Sequence, residues 1–157
     1  MTLHRRTLFL LAAGGSALMM LGALGFQYIG AMPPCDLCYW QRYPHIVAVA
    51  LGLLAFLLPR AALLPLAVLG AIATVTTAAI GFYHTGVERD WWEGPAACTS
   101  ADVSGLSSDQ LFDRIMAAPI VRCDEVPWEM FGLSMASWNT LASLLLAALW
   151  IMAARRT

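Results

Sequence analysis

Apolar residues dominate four stretches of the chain, about 8–29, 44–58, 61–82 and 131–154, and polar positions gather between them. Crossing a ~30 Å hydrocarbon core as a helix takes about 20 residues. The first, third and fourth stretches reach that length. The second reaches it only if Tyr39–Tyr43 form its first, interfacial turn, so helices are predicted at about 8–29, 39–58, 61–82 and 131–154. The fold class that follows is an all-α membrane protein: a four-transmembrane-helix bundle forming one integral membrane domain over residues 1–157.

Composition agrees. Of 157 residues, 60% are hydrophobic and 12% are charged, against about 25% charged in a soluble domain. Charge placement adds an orientation. The chain has no lysine, and Arg5, Arg6, Arg60, Arg155 and Arg156 sit at the termini and in the tight second connection with no acid beside them. All ten acids lie between Asp36 and Glu129. The positive-inside rule then predicts cytoplasmic termini and two outward loops, about 30–42 and 83–130, which hold all four cysteines. Such a compartment permits disulfides. A cleaved signal ending near Ala23-Leu24-Gly25 is the rival reading of the first stretch. Its apolar run continues to Ile29, longer than a usual signal core.

The first outward loop is short and stiffened by Pro33-Pro34. The second is long for an unstructured connection. It carries Trp91, Trp92 and Trp128, residue types that anchor at membrane interfaces. Within it Ser107 to Met116 opens with capping residues and spaces Leu111, Phe112, Ile115 and Met116 as a helix does. A short amphipathic helix is expected there, either on the lipid surface or packed in the loop. Nothing in the chain suggests nucleic-acid binding: there is no basic patch or phosphate-binding glycine loop.

The cysteines carry the chemistry. Cys35-Asp36-Leu37-Cys38 can form a disulfide that opens and closes readily, and its place beside an apolar segment suggests electron exchange with a lipid-dissolved acceptor. Pro44 suits a helix's first turn, which places Cys38 at or just before the second helix's N-terminus. The helix dipole and Arg42 would both favour a thiolate there. A static structural disulfide is the alternative. Cys98 and Cys123 read either as a loop staple or as a second exchangeable pair. A four-cysteine zinc site lacks the usual close ligand spacing in Cys98 and Cys123, so no metal is expected. Arg42 is either a snorkelling anchor or a cation that stabilises the Cys38 thiolate and bonds a ligand carbonyl. His84 is either structural or a ligand contact.

Cys35-Asp-Leu-Cys38-Tyr39-Trp40-Gln41-Arg42 resembles the first-loop motif of the disulfide-bond-formation protein B (DsbB) family. Tyr83-His84-Thr85-Gly86-Val87-Glu88, Gly94-Pro95-Ala96-Ala97-Cys98, Pro127-Trp128 and Gly132-Leu133-Ser134-Met135 are similar to later family segments in the same order. The resemblance implies a thiol:quinone oxidoreductase of the bacterial inner membrane. It would re-oxidise a periplasmic thioredoxin-like, DsbA-type partner and pass the electrons to ubiquinone or menaquinone. It implies a Cys98–Cys123 disulfide attacked at Cys98 by the partner, after which Cys123 attacks Cys35 and frees Cys38 toward the quinone. Arg42, His84 and Met135 would lie at the quinone. Two other classes compete. A conduit carrying reducing power outward usually has cysteines within its membrane helices, whereas here all four lie in outward loops. A scaffold with structural disulfides would need neither Arg42 nor a reactive Cys-x-x-Cys.

Overall fold

The structure is a computed structural model that describes residues 5–95, 107–117 and 121–156. Four long helices form its frame: α1 (Arg5–Tyr28), α2 (Asp36–Leu57), α3 (Leu63–Glu88) and α5 (Met135–Ala154). A short helix, α4 (Ser108–Ala117), lies in the long connection. A one-turn 3-10 helix, Arg60–Ala62, leads into α3. α1, α5 and the span Arg60–Glu88 are each long and apolar enough to cross a membrane. α2 has comparable length, 22 residues, but its first half carries Asp36, Gln41, Arg42 and His45.

Neighbouring helices run antiparallel, as their contacts show. Arg42 of α2 reaches Gln27 near the end of α1, while Gly52 near the end of α2 meets Ala13 near the start of α1. Thr85 of α3 bonds Ser137 of α5, while Gly70 of α3 faces Trp150 of α5. Phe9 of α1 packs edge-on against Trp150 at 5.1 Å. Small residues let the backbones approach closely: a Cβ at Gly52 would lie 2.1 Å from the Ala13 Cβ, and one at Gly70 would lie 2.4 Å from the Trp150 ring. Membrane helices associate through such contacts, because lipid offers no hydrophobic drive between them.

The core changes character along the bundle. At the end holding Arg5, Arg60 and Arg156 it is apolar, built on Leu8, Phe9, Ala12, Leu66 and Trp150. Arg5, Arg6, Arg60 and Arg156 surround a common cleft at that end. Toward the other end the buried side chains are Thr77, Gln41, His45, His84 and Asn139. The outer faces are the reverse of a soluble protein's: Leu10, Leu18, Leu21, Leu64, Ile72 and Leu145 are all exposed. Apolar residues outside and polar groups turned inside, most of them paired, is the distribution a bilayer favours.

Four element boundaries differ from the sequence reading by three residues or more. α1 starts at Arg5 rather than 8, and α5 starts at Met135 rather than 131 because the chain from Glu129 to Ser134 pairs as a hairpin. α2 begins at Asp36, not near Tyr39, because the Cys35 sulfur caps it by accepting the Cys38 N–H at 3.3 Å. Cys38 therefore lies inside the first turn, and Pro44 falls within the helix rather than in its first turn. The proline removes the donor for the Trp40 carbonyl. The Thr77 hydroxyl of α3 donates to the adjacent Gln41 carbonyl at 2.8 Å, the kind of support that lets a membrane helix tolerate proline. α3 also runs on past residue 82 to Glu88, so His84 and Glu88 are helical rather than in a loop.

The connection between α3 and α5 is partly built. α4 starts where expected and is held by a reciprocal capping box: Ser107 Oγ accepts the Gln110 N–H, and Gln110 Oε1 accepts the Ser107 N–H. Phe112 and Met116 are exposed. A hairpin not foreseen in the sequence, β1 (Glu129–Met130) and β2 (Leu133–Ser134), turns through Phe131 and Gly132, both at positive φ. That is the two-residue turn that suits a right-handed strand twist. Ser134 then caps α5. Glu88 and Arg89 at the end of α3 hold the hairpin, through the Ser134 hydroxyl and the Gly132 carbonyl respectively.

Candidate active site

Three of the four cysteines converge where α2 begins and α3 ends. The Cys35 and Cys38 sulfurs stand 3.0 Å apart as free thiols. The Cys123 sulfur, the Cys35 sulfur and a ring nitrogen of His84 lie within 4.8 Å of one another. Cys123 and Cys35 are buried, and Cys38 is half-buried. Cys35 is thus the middle sulfur of a row. Contact with Cys123, contact with Cys38 and burial together push the Cys35 thiol up from its ordinary pKa. These contacts disfavour a charge on Cys35. Cys98 lies outside the described residues.

Cys123 is buried between two ion-paired neighbours. Arg122 donates Nε to Asp124 Oδ1 at 2.9 Å and a terminal nitrogen to Oδ2 at 2.7 Å. It also pairs with Glu125 at 3.2 Å. This two-pronged clamp joins the residues on either side of Cys123 at a bend in the chain, and Cys123 is fully buried there. The Arg122 guanidinium holds the Asp124 carboxyl below the usual carboxylate range.

His84 is oriented by a buried polar network whose directions are fixed by backbone carbonyls, which only accept. Gln41 Nε2 donates to the Leu37 carbonyl at 3.0 Å, so the same amide nitrogen donates its other hydrogen to His84 Nδ1 at 2.9 Å. In the neutral ring the proton is then on Nε2, which lies 3.7 Å from the Cys35 sulfur and 3.9 Å from Glu88 Oε1. Gln41 Oε1 in turn accepts from Asn139 Nδ2 at 2.8 Å.

A cavity of about 600 Å³ opens beside the sulfurs, within the range of small-molecule sites. Cys35, Cys38, Arg42, His84 and Met135 all line it, so every described residue that the sequence singled out for the site, apart from Cys123, reaches one space. α1 supplies apolar wall, including Leu18, Met19 and Phe26. Trp128 lines it too and packs on Phe26 at 5.1 Å. Arg42 departs from the expectation in one respect. Its guanidinium bonds Gln27 Oε1 at 2.6 Å and lies over the Tyr39 ring at 5.2 Å, rather than bonding the Cys38 sulfur. Both of these partners are neutral.

Sequence reasoning missed Gln27, Gln41, His45, Asn139 and the Arg122–Asp124 clamp. The signal for four of them was present: a polar side chain inside an apolar helix is costly and so marks a site or a pairing. Cys35, His84 and Cys123 are also a donor set of the sulfur–nitrogen type that suits zinc or copper(I). Spacing along the chain, used above to set zinc aside, does not reveal that proximity. Forming a disulfide at Cys35 would remove that sulfur as a thiolate ligand.

A bundle with apolar outer faces and an end-on cluster of thiols defines a multi-pass membrane protein with thiol–disulfide chemistry. The family model described as Disulfide bond formation protein DsbB matches residues 5–153, and the chain belongs to that family. It is similar to Disulfide bond formation protein B of Haemophilus influenzae, at 30% identity over 86% of this chain and 77% of that protein. It is also similar to the proteins of that name from Pasteurella multocida, at 28% over 97% and 89%, and from Shewanella sp. strain ANA-3, at 26% over 88% and 81%. No solved structure matches. Membership makes the chain a disulfide-forming oxidoreductase of a membrane.

Proposed function

We propose that this protein is a thiol:quinone oxidoreductase of the bacterial inner membrane that re-oxidises a periplasmic thioredoxin-like dithiol protein of the DsbA type. The observation that carries the reading is the row of sulfurs Cys123, Cys35 and Cys38 beside a cavity that Arg42, His84 and Met135 also line. Four membrane spans with cytoplasmic termini go with it. α2 has the length to cross, and the arginine cleft at the far end obeys the positive-inside rule.

The exchange steps balance within the chain. A partner thiolate attacks Cys98 of a Cys98–Cys123 disulfide, and Cys123 leaves as thiolate. Cys123 attacks Cys35 of the Cys35–Cys38 disulfide, and Cys38 leaves as thiolate at the cavity wall. The partner's second thiol resolves its mixed disulfide, which releases Cys98 and leaves the partner oxidised. Cys98 then attacks Cys123, restoring its own disulfide and freeing Cys35. The net result is one oxidised partner and one Cys35/Cys38 dithiol. Each attack needs only a thiolate in reach of a disulfide sulfur.

A quinone fits the residues present: apolar walls for its body, the Arg42 donors for an oxygen, and Cys38 at the wall. When bound, it supplies an acceptor for two electrons and two protons. Arg42 contributes a permanent positive charge and a fixed fork of donors. His84, through Nε2–H, faces Cys35 and favours negative charge on that sulfur when Cys98 displaces it from Cys123. Trapping tests the entry step. A reduced partner that retains only its attacking cysteine, mixed with the oxidised wild-type protein, should accumulate a partner–Cys98 adduct on a non-reducing gel, because Cys123 leaves and the partner has no second thiol to resolve the adduct. An adduct through Cys35 instead would overturn the order.

A further inference from the structure

His45 is a buried ring that the steps above do not use. It is 2% exposed and lines the cavity, and its Nδ1 has no hydrogen-bond partner among the described residues. Cys38, Arg42 and His45 follow the i, i+4, i+7 spacing of one helix face, and all three line the same space.

The tautomer of His45 follows from its surroundings. Asn139 Nδ2 lies 3.5 Å from the Thr77 carbonyl and 3.2 Å from the Thr77 hydroxyl oxygen. The carbonyl only accepts, and the hydroxyl spends its proton on the Gln41 carbonyl. The Asn139 amide therefore cannot be reversed, and its Oδ1 is the atom facing His45 Nε2 at 3.0 Å. That oxygen accepts, so Nε2 carries the ring proton and Nδ1 carries a lone pair. A buried acceptor left without a donor is costly unless something supplies one.

We propose that His45 Nδ1 is a hydrogen-bond acceptor for a hydroxyl of the bound ligand, and so makes the cavity favour a quinol over the corresponding quinone. This deepens the quinone reading and rests on it. A quinone offers only acceptor oxygens, which face a nitrogen lone pair unfavourably. A quinol offers O–H donors. Arg42 and His45 then form a donor pole and an acceptor pole on one helix, and the acceptor pole is satisfied only by the reduced form.

Two substitutions separate the ring's two nitrogens. His45→Gln retains a donor at the Nε2 position for Asn139 and loses the Nδ1 acceptor. His45→Asn retains an acceptor at the Nδ1 position and loses the link to Asn139. The measurement is binding of a short-chain benzoquinone and of its quinol to the purified protein, held anaerobically, by tryptophan quenching. His45→Gln should weaken quinol binding about 2- to 12-fold and leave quinone binding within about twofold, while His45→Asn should keep most of the quinol preference. Equal weakening of both forms, or an unchanged quinol affinity in His45→Gln, overturns the proposal alone. Failure of the wild-type protein to bind either form overturns the quinone site itself, and this proposal with it.

Discussion

The Cys123 sulfur lies within 4.8 Å of the Cys35 sulfur, although the two residues belong to separate loops. They meet where the first turn of α2 and the last turns of α3 lie side by side, at a bend in the long connection flanked by the ion-paired Arg122 and Asp124. On the proposed route, this contact is what allows the two cysteine pairs to exchange. A variant with Cys38→Ser and Cys98→Ser should therefore form a Cys35–Cys123 disulfide without a cross-linker. Peptide mapping by mass spectrometry under non-reducing conditions reads it directly. Two free thiols under mild oxidation would mean that the loops do not meet.

The clamp itself should matter modestly. The pair is only partly buried and screened by solvent on the Arg122 side, so it is worth about 1 kcal/mol at most, and Asp124→Asn should slow formation of that disulfide by no more than about fivefold. Asp124 is depressed by Arg122, so the clamp is fully present above the ordinary Asp pKa of ~3.9 and is lost as pH falls through the lower folded value. The difference between Asp124→Asn and the parent should hold constant from about pH 5 to 7 and vanish in strong acid.

Arg42 should act on the quinone step. Arg42→Ala removes a charge-assisted donor, worth about 1.5–3 kcal/mol, or about 10- to 150-fold in apparent quinone KM. Arg42→Lys keeps the charge without the fork and should lose less. Gln27→Ala leaves the guanidinium over the Tyr39 ring but without its hydrogen-bond acceptor, and should raise the same KM by a smaller factor. Steady-state kinetics with quinone and partner varied separately will decide. If Arg42→Ala only lowers the amount of inserted protein, the arginine is an interfacial anchor.

Helix packing gives a stability test independent of the chemistry. Gly70→Ala drives a methyl into the Trp150 ring and should destabilise by about 1–3 kcal/mol. Gly14→Ala, with nothing within 4 Å of the new methyl, should not destabilise. Thermal unfolding in detergent should rank the two variants in that order. Equal midpoints would contradict the α3–α5 packing.

Much of this was legible in the sequence. Uninterrupted apolar runs marked the long helices, and Cys-x-x-Cys with Arg42 and His84 marked the site. What escaped was set in three dimensions. The Cys35 sulfur replaces an ordinary cap and moves the start of α2 outward. Glu88 extends α3 because its carboxylate, polar at the edge of an apolar helix, finds the Ser134 hydroxyl. Gln41 and His45 lie on α2 and Asn139 on α5, far apart in the chain, and only antiparallel packing joins them into one network. The turn at Phe131-Gly132 asks a non-glycine residue to take positive φ, which sequence preference argues against.

The central claim is that electrons from a thioredoxin-like dithiol leave through Cys38 to a quinone. The most direct measurement follows, in one anaerobic cuvette of purified protein, the loss of quinone absorbance and the partner's free thiols. The account predicts one quinone consumed per partner disulfide formed, with both signals abolished by Cys38→Ser. Thiol oxidation without quinone loss, or quinone loss that persists in Cys38→Ser, would contradict it.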